Sequence, residues 1–233
     1  MKTAIMQPYI FPYIGYFQLI KSVNQFVVYD NIQYTKKGFI NRNKILFNSS
    51  DRLFTIPIKK DSDYLNVVSR VISNNWKQER IKFLNLIIQS YKKAPYFSEC
   101  FDIIEQCIKY DDFNLFNYIY NSIKSICTYL DIDTKIIVSS QISCNHDLKS
   151  QDKVLDICKS LNTKMYINAI GGVTLYDKDI FKHQNIELKF IKSNLIEYNQ
   201  FNNKFVPWLS IIDVMMFNSK NEINDYLKDY TLI

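Results

Sequence analysis

Strand, helix and strand follow one another within the first thirty residues, and this constrains the fold more than any other feature of the chain. Thr3-Ala-Ile-Met6 is a short apolar run closed by Gln7-Pro8. Ile14, Phe17, Ile20 and Val23 then recur at helical spacing, and Phe26-Val-Val-Tyr29 forms a second strand-like run ending in Asp30. Two strands joined through a helix lie parallel, and the crossover is right-handed. A parallel sheet needs cover on both faces, so the chain is committed to α/β architecture from its start.

The remaining pattern fits that commitment. Lys44 to Phe47 and Leu53 to Ile58 flank the turn-rich Asn48-Ser-Ser-Asp51 and predict a hairpin. Ile81, Leu84, Ile87, Ile88 and Tyr91 make one apolar helical stripe, stopped at Ala94-Pro95, and two more helices are expected near 97–109 and 113–129. Strands return at Lys135–Val138, Met165–Ile167 and Glu187–Ile191, with helices over Gln151–Leu161 and Asn221–Tyr230. The expectation is a single α/β domain over 1–233: a doubly wound, mainly parallel, Rossmann-like sheet of nucleotidyltransferase (HIGH-type) topology, with a helical insertion around 75–130. If the strand after the insertion lies beside the first strand, Gln7 and Ser139-Ser140 line one crevice at the switch point.

Composition narrows the function classes. Apolar residues make up 47% of the chain, enough for a buried core, yet no run approaches a membrane span. The N-terminus carries no sustained apolar leader segment, so a cytoplasmic location is expected. Cys100, Cys107, Cys127, Cys144 and Cys158 form no CxxC pair, and neither a disulfide framework nor a metal site is expected. The formal charge of +6 favours an anionic partner, although no basic block has the length of a nucleic-acid tail.

Four loops carry candidate chemistry. The first, Gln7-Pro8-Tyr9 through Gly15 and Tyr16, packs aromatics and prolines between a strand and a helix, where α/β proteins hold ligands. Its Pro12-Tyr13-Ile-Gly15-Tyr16 spacing resembles the HxGH signature of nucleotidyltransferases and class I aminoacyl-tRNA synthetases, with Tyr13 and Tyr16 in the histidine positions. A phenol donates a hydrogen bond to phosphate but supplies no imidazolium charge, which argues against adenylyl transfer. The second holds Asp30, Gln33, Lys37, Asn41, Arg42 and Asn43. Arg42 offers a fork suited to phosphate, with Lys59 and Lys60 as an extension of the basic lining. The third joins Asn168 to Gly171 and Gly172, where glycines permit close backbone approach or unusual dihedrals. In the fourth, Ser210 and Asp213 have capping-box spacing before the apolar run Val214–Phe217, and the helix start suits an anion. Ser139 joins these as a switch-point residue. Cys144, His146 and Asp147 invite a nucleophile reading on sequence proximity alone.

Taken in order, QPYIFPYIGYFQLI, VYDNIQYTKKGFINRN, TIPIKK, YKKAPYF, YINAIGGVTLYD and FVPWLSIIDVMMFNS resemble the WbqC-like family over nearly the whole chain. That resemblance implies a setting in bacterial O-antigen, capsule or lipopolysaccharide biosynthesis, with a nucleotide-linked amino sugar as substrate. The expected reaction is N-acyl or aminoacyl transfer to the sugar amine. No permanently bound cofactor is expected; an acyl-CoA or an aminoacyl-tRNA would be the activated donor, the latter making tRNA a partner. In this reading Asp30 is the base, Tyr13 and Arg42 complete the catalytic set, and Gln7, Tyr13, Asp30 and Asn168 position sugar and donor. The alternative is a non-catalytic protein that binds a nucleotide sugar or a partner enzyme of a glycan pathway.

Overall fold

The computed structural model describes residues 1–233. Its centre is a six-stranded sheet in the order β5-β2-β1-β6-β7-β8, where β1 is Lys2–Met6, β2 Gln25–Val28, β5 Lys135–Val138, β6 Met165–Ala169, β7 Glu187–Ser193 and β8 Tyr230–Leu232. The first five strands run parallel, and β8 closes one edge antiparallel to β7. From β1 the chain winds outward to β2 and β5, then returns to the far side of β1 with β6 and β7. The sheet is therefore doubly wound, with its reversal between β1 and β6.

Side-chain alternation builds two cores. On one face Ala4, Phe26, Val28, Ile167 and Ile191 join α1 (Ile14–Lys21) and the helical elements in a cluster of 50 buried residues. On the other, Ile5, Val27, Tyr166, Leu188 and Phe190 pack with α5 (Ser150–Ser160) and α6 (Lys178–His183). The insertion comprises α2 (Trp76–Tyr91), α3 (Phe97–Lys109) and α4 (Leu115–Tyr129), within the range the apolar stripes delimit.

Three expectations need correction. The strand after the insertion, β5, lies beside β2 and not beside β1, so β2 separates Gln7 from Ser139 and the two do not share the switch point. Strand order depends on which neighbours bury which faces, and periodicity along one chain carries no such information. The hairpin of β3 (Arg42–Phe47) and β4 (Ser50–Thr55) turns on Asn48 and Ser49 alone, both at positive φ (49° and 60°), which sets Phe47 against Ser50. Two successive left-handed residues make the tight turn that matches strand twist, which shortens the expected turn. At the C-terminus, α8 (Lys220–Tyr226) ends early and residues 230–232 form β8. There the buried Gln18 amide donates to the Tyr226 and Asp229 carbonyls at 2.7 and 2.9 Å, holding the post-helical turn in place.

α7 (Ile211–Phe217) is wholly buried and connects the layers. Ser210 Oγ accepts from the Ile212 amide, as expected of a cap, but Asp213 does not complete a capping box. Its carboxylate instead accepts from Tyr91 at 2.8 Å, Tyr198 at 2.7 Å and Gln200 at 2.7 Å. Tyr91 Oη in turn accepts from the Leu46 amide, so insertion, hairpin and α7 meet at one carboxylate. Burial pushes the Asp213 pKa up to about 6, against the opposing pull of its three donors.

Candidate functional site

Two concave regions lie at the carboxyl edge of the sheet, one aromatic and one cationic. The aromatic one begins where β1 ends. Ile10 and Phe11 are buried, and the backbone of the loop is fixed by Asn43, whose amide donates to the Ile10 and Phe11 carbonyls at 3.0 and 2.7 Å. Ser210 Oγ donates to the same Phe11 carbonyl at 2.7 Å. Phe11 is held at φ 41°, a left-handed conformation costly for an aromatic residue and sustained by these bonds. Pro8 is buried beside them.

The two tyrosines in the histidine positions are used differently. Tyr16 is 3% exposed, and its hydroxyl donates to the Gln7 carbonyl at 3.0 Å; burial holds its pKa well above the ordinary tyrosine value. It is a strut between helix and loop. Tyr9 reaches the Gln7 side chain at 3.4 Å and lies 5.8 Å from the Tyr16 ring. Tyr13 is half-buried, lying across Gly15 and 6.1 Å edge-on from Trp208. A Cβ on Gly15 would meet the Tyr13 ring at 2.4 Å. An added methyl would therefore displace the Tyr13 ring, while Tyr16 stays buried against the loop.

Trp208 lies just before Ser210 and Asp213 in the same segment, and its residue type alone gives it no role. It is 55% exposed and held at φ 60°, while neighbouring Leu209 is buried. With Tyr13, Leu195, Tyr198 and Phe205 it borders an apolar recess at the start of α1. A strained backbone presenting a large aromatic to solvent is the signal that points to it, and that signal exists only in the folded chain. Gly15→Ala should leave stability within about 1 kcal/mol, because helix propensity offsets the Tyr13 displacement. It should change Trp208 fluorescence, measured in a Trp76→Phe background; an unchanged spectrum would contradict the packing described.

Asn168 is the penultimate residue of β6, the strand across the reversal from β1, and is buried. Its Oδ1 accepts from the Ala169 amide at 2.7 Å, and a Cβ on Gly172 would strike its Nδ2 at 2.7 Å. Neither glycine of the pair is at positive φ, and a Cβ on Gly171 would meet nothing. The close approach at Gly172 is to Asn168, and unusual dihedrals play no part.

Asp30, the expected base, is 1% exposed. Its Oδ1 accepts from Ser139 Oγ at 2.7 Å and from the Ser140 amide at 2.9 Å, while Oδ2 is buried without a partner. The carboxylate ties the segment after β2 to the segment after β5 and is almost wholly buried. Asn41 is likewise committed, accepting from Tyr34 and donating to Ile56. The Cys144–His146–Asp147 reading fails on geometry. His146 Nε2 faces the Ile142 carbonyl at 3.1 Å and its Nδ1 faces Lys153 Nζ at 2.8 Å, an arrangement that makes Nε2 the donor and Nδ1 the acceptor. No lone pair remains for the thiol 3.9 Å away. The other four cysteines are buried, which raises their pKa values to between about 11 and 12.

The cationic region is a cleft of about 630 Å³ between the loop after β2, the end of the hairpin and residues 58–70. It unites Asn41 and Arg42 with Lys59 and Lys60, and adds Lys36, Tyr34 and Arg70, with Asp61 and Asp63 as its acidic members. Gln33 lies at its margin, donating to the Asp63 carbonyl at 3.1 Å, whereas Lys37 is exposed outside the lining. No group of three or more His, Cys, Asp or Glu side chains is placed to hold a metal, and no helix is long and apolar enough to cross a membrane.

The WbqC-like protein family model matches residues 7–225, which spans both regions. The chain belongs to the WbqC-like family. It is similar to "Uncharacterized protein Rv1507c" of Mycobacterium tuberculosis, with 26% identity over 233 residues and 97% of each chain covered. A shorter similarity, 25% identity over 158 residues, links 60% of the chain to 7% of Protein Ycf2 of Nymphaea alba. No solved structure matches it. As a WbqC-like protein it keeps the loop after β1, the Asp30–Asn43 segment, the Asn168–Gly172 turn and α7 inside the shared region.

Proposed function

We propose that this WbqC-like protein is a transferase that places an acyl or aminoacyl group on the amine of a nucleotide-linked amino sugar in surface-glycan synthesis. The observation that carries the reading is Trp208, strained, exposed and set against Tyr13 where α1 begins, beside the segment that follows β7. An aromatic face suits a nucleobase or a sugar ring, and open α/β sheets hold ligands beyond the carboxyl ends of their strands. The neutral amide of Gln7 suits a sugar hydroxyl, and the absence of imidazole at Tyr13 and Tyr16 suits a donor activated elsewhere, such as acyl-CoA or aminoacyl-tRNA.

In the reaction the sugar amine attacks the acyl carbonyl carbon. A C–N bond forms, the bond to the thiol or ribose oxygen breaks, and the amine proton passes to the leaving group or solvent. With Asp30 closed off, the protein's part is positioning rather than proton transfer. Incubation with nucleotide-linked amino sugars and either acyl-CoA or charged tRNA should produce a sugar heavier by the transferred group. Trp208→Ala should weaken sugar-nucleotide binding by about tenfold, the scale of one lost aromatic stack. No mass gain with any donor would sink the transferase reading.

A binding-only role is the second reading, favoured by the inaccessible carboxylate of Asp30. Thermal stabilisation by nucleotide sugars without turnover would select it.

A further inference from the structure

Arg70 is buried to 3% exposure and takes part in none of the protein's ion pairs. Its Nη2 donates to the Ser62 carbonyl at 2.7 Å, and its guanidinium stacks 4.8 Å from the Tyr34 ring. Its Nε is buried without any partner. The surrounding backbone fixes it, because the Arg70 amide bonds Val67 and its carbonyl accepts from Leu115. A desolvated guanidinium outside any ion pair is costly, and the Asp63 carboxylate that feels its charge is already held by Lys36.

The rest of the cleft has the same imbalance. Arg42 donates through Nε to the Gly38 carbonyl at 2.8 Å and has no acidic partner; Lys59 and Lys60 are exposed and unpaired. Of the two carboxylates, Asp63 is held by Lys36 at 2.6 Å and Asp61 accepts from the Ser62 amide at 2.7 Å. The cations Arg70, Arg42 and Lys36 all act on the Tyr34 phenol, opposing the larger effect of its burial. Four cations without carboxylate partners converge on one space of about 630 Å³. A single carboxylate ligand would leave most of that charge unmatched.

We infer that this cleft is a diphosphate-binding site, with buried Arg70 as its fixed fork, Arg42 as a second fork and Lys59 and Lys60 as rim charges. Two planar guanidinium groups match the paired oxygens of phosphate groups, and lysines on the rim draw the anion in. The site stands whether or not the protein is a transferase. It accepts the diphosphate of a nucleotide-linked molecule or free pyrophosphate by the same chemistry.

Calorimetric titration at low salt with pyrophosphate, uridine diphosphate and uridine tests it. Pyrophosphate and uridine diphosphate should both bind, uridine should bind at least tenfold more weakly than the diphosphate, and affinity should fall as salt rises. Similar affinity for both anions identifies free pyrophosphate chemistry as sufficient; a clear advantage for the nucleotide assigns the source to a nucleotide-linked ligand. Arg70→Met should lower affinity at least tenfold. Because that variant removes a buried side chain, Lys59→Ala/Lys60→Ala serves as a rim test and should lower affinity about threefold or more with unchanged melting temperature. Absence of pyrophosphate binding to the wild-type protein would overturn the site, as would undiminished binding in both folded variants. Binding without sugar modification would leave the site standing while removing the transferase.

Discussion

Asp213→Ala is expected to lower unfolding free energy by roughly 3–5 kcal/mol in urea denaturation. The substitution strands the Tyr91, Tyr198 and Gln200 donors, and a buried donor left unsatisfied costs about 1–3 kcal/mol. It also disconnects insertion, hairpin and α7 at their common point, so the loss should be cooperative over the whole domain. Asp213→Asn, which keeps shape and one acceptor, should cost much less. A loss below about 1 kcal/mol for the alanine variant would show that the carboxylate does not join these elements.

The same residue gives a pH signature. The Asp213 pKa is about 6 in the folded protein against an ordinary 3.8, so between those values the folded state holds the extra proton. Its contribution is fully present below the unfolded pKa and is lost as pH rises through about 6. A shift of roughly two units corresponds to about 2–3 kcal/mol. The stability difference between wild type and Asp213→Asn should therefore move toward the variant by about that amount from pH 4 to pH 7. Movement in the opposite direction would mean that the three donors outweigh burial.

Asp30 supplies the second large effect, and its two substitutions separate structure from catalysis. Asp30→Ala leaves Ser139 Oγ and the Ser140 amide without their acceptor and should cost roughly 2–4 kcal/mol. Asp30→Asn preserves an acceptor at Oδ1 and should retain most of that stability. If Asp30 only ties the segments after β2 and β5, the asparagine variant keeps sugar-modifying turnover within about tenfold. A general base in that position would instead lose about 10²–10⁴ in rate on conversion to asparagine. A collapse of turnover in a well-folded Asp30→Asn protein would restore the base expected from the sequence.

The polar residues singled out in the loops show why residue type alone misassigns roles. Asn41, Asn43, Ser210 and Asp213 look available when read along the chain, yet all are at most 5% exposed and spend their polar atoms on internal partners. An irregular loop that enters a core must satisfy its carbonyls, and short amide and hydroxyl side chains do this best. Arg70 errs the other way. In the sequence it is one basic residue among 29 lysines and arginines, and its burial without a counter-ion exists only after folding. Trp208 is similar, since its exposure follows from a positive φ set by the packing of Leu209 and Ser210 behind it.

By itself the sequence determined the α/β class, the parallel β1–α1–β2 start, the helical insertion and the family. These depend on apolar periodicity, on the handedness of crossovers and on motifs kept in order, all local to the chain. The tertiary structure decided the placement of β5 beside β2, the antiparallel β8, the separate fates of Tyr13 and Tyr16, and the meeting of Arg42, Lys59, Lys60 and Arg70 in one cleft. Strand neighbours and buried charges arise from contacts between residues far apart in sequence, where each choice depends on surfaces that only the other elements supply.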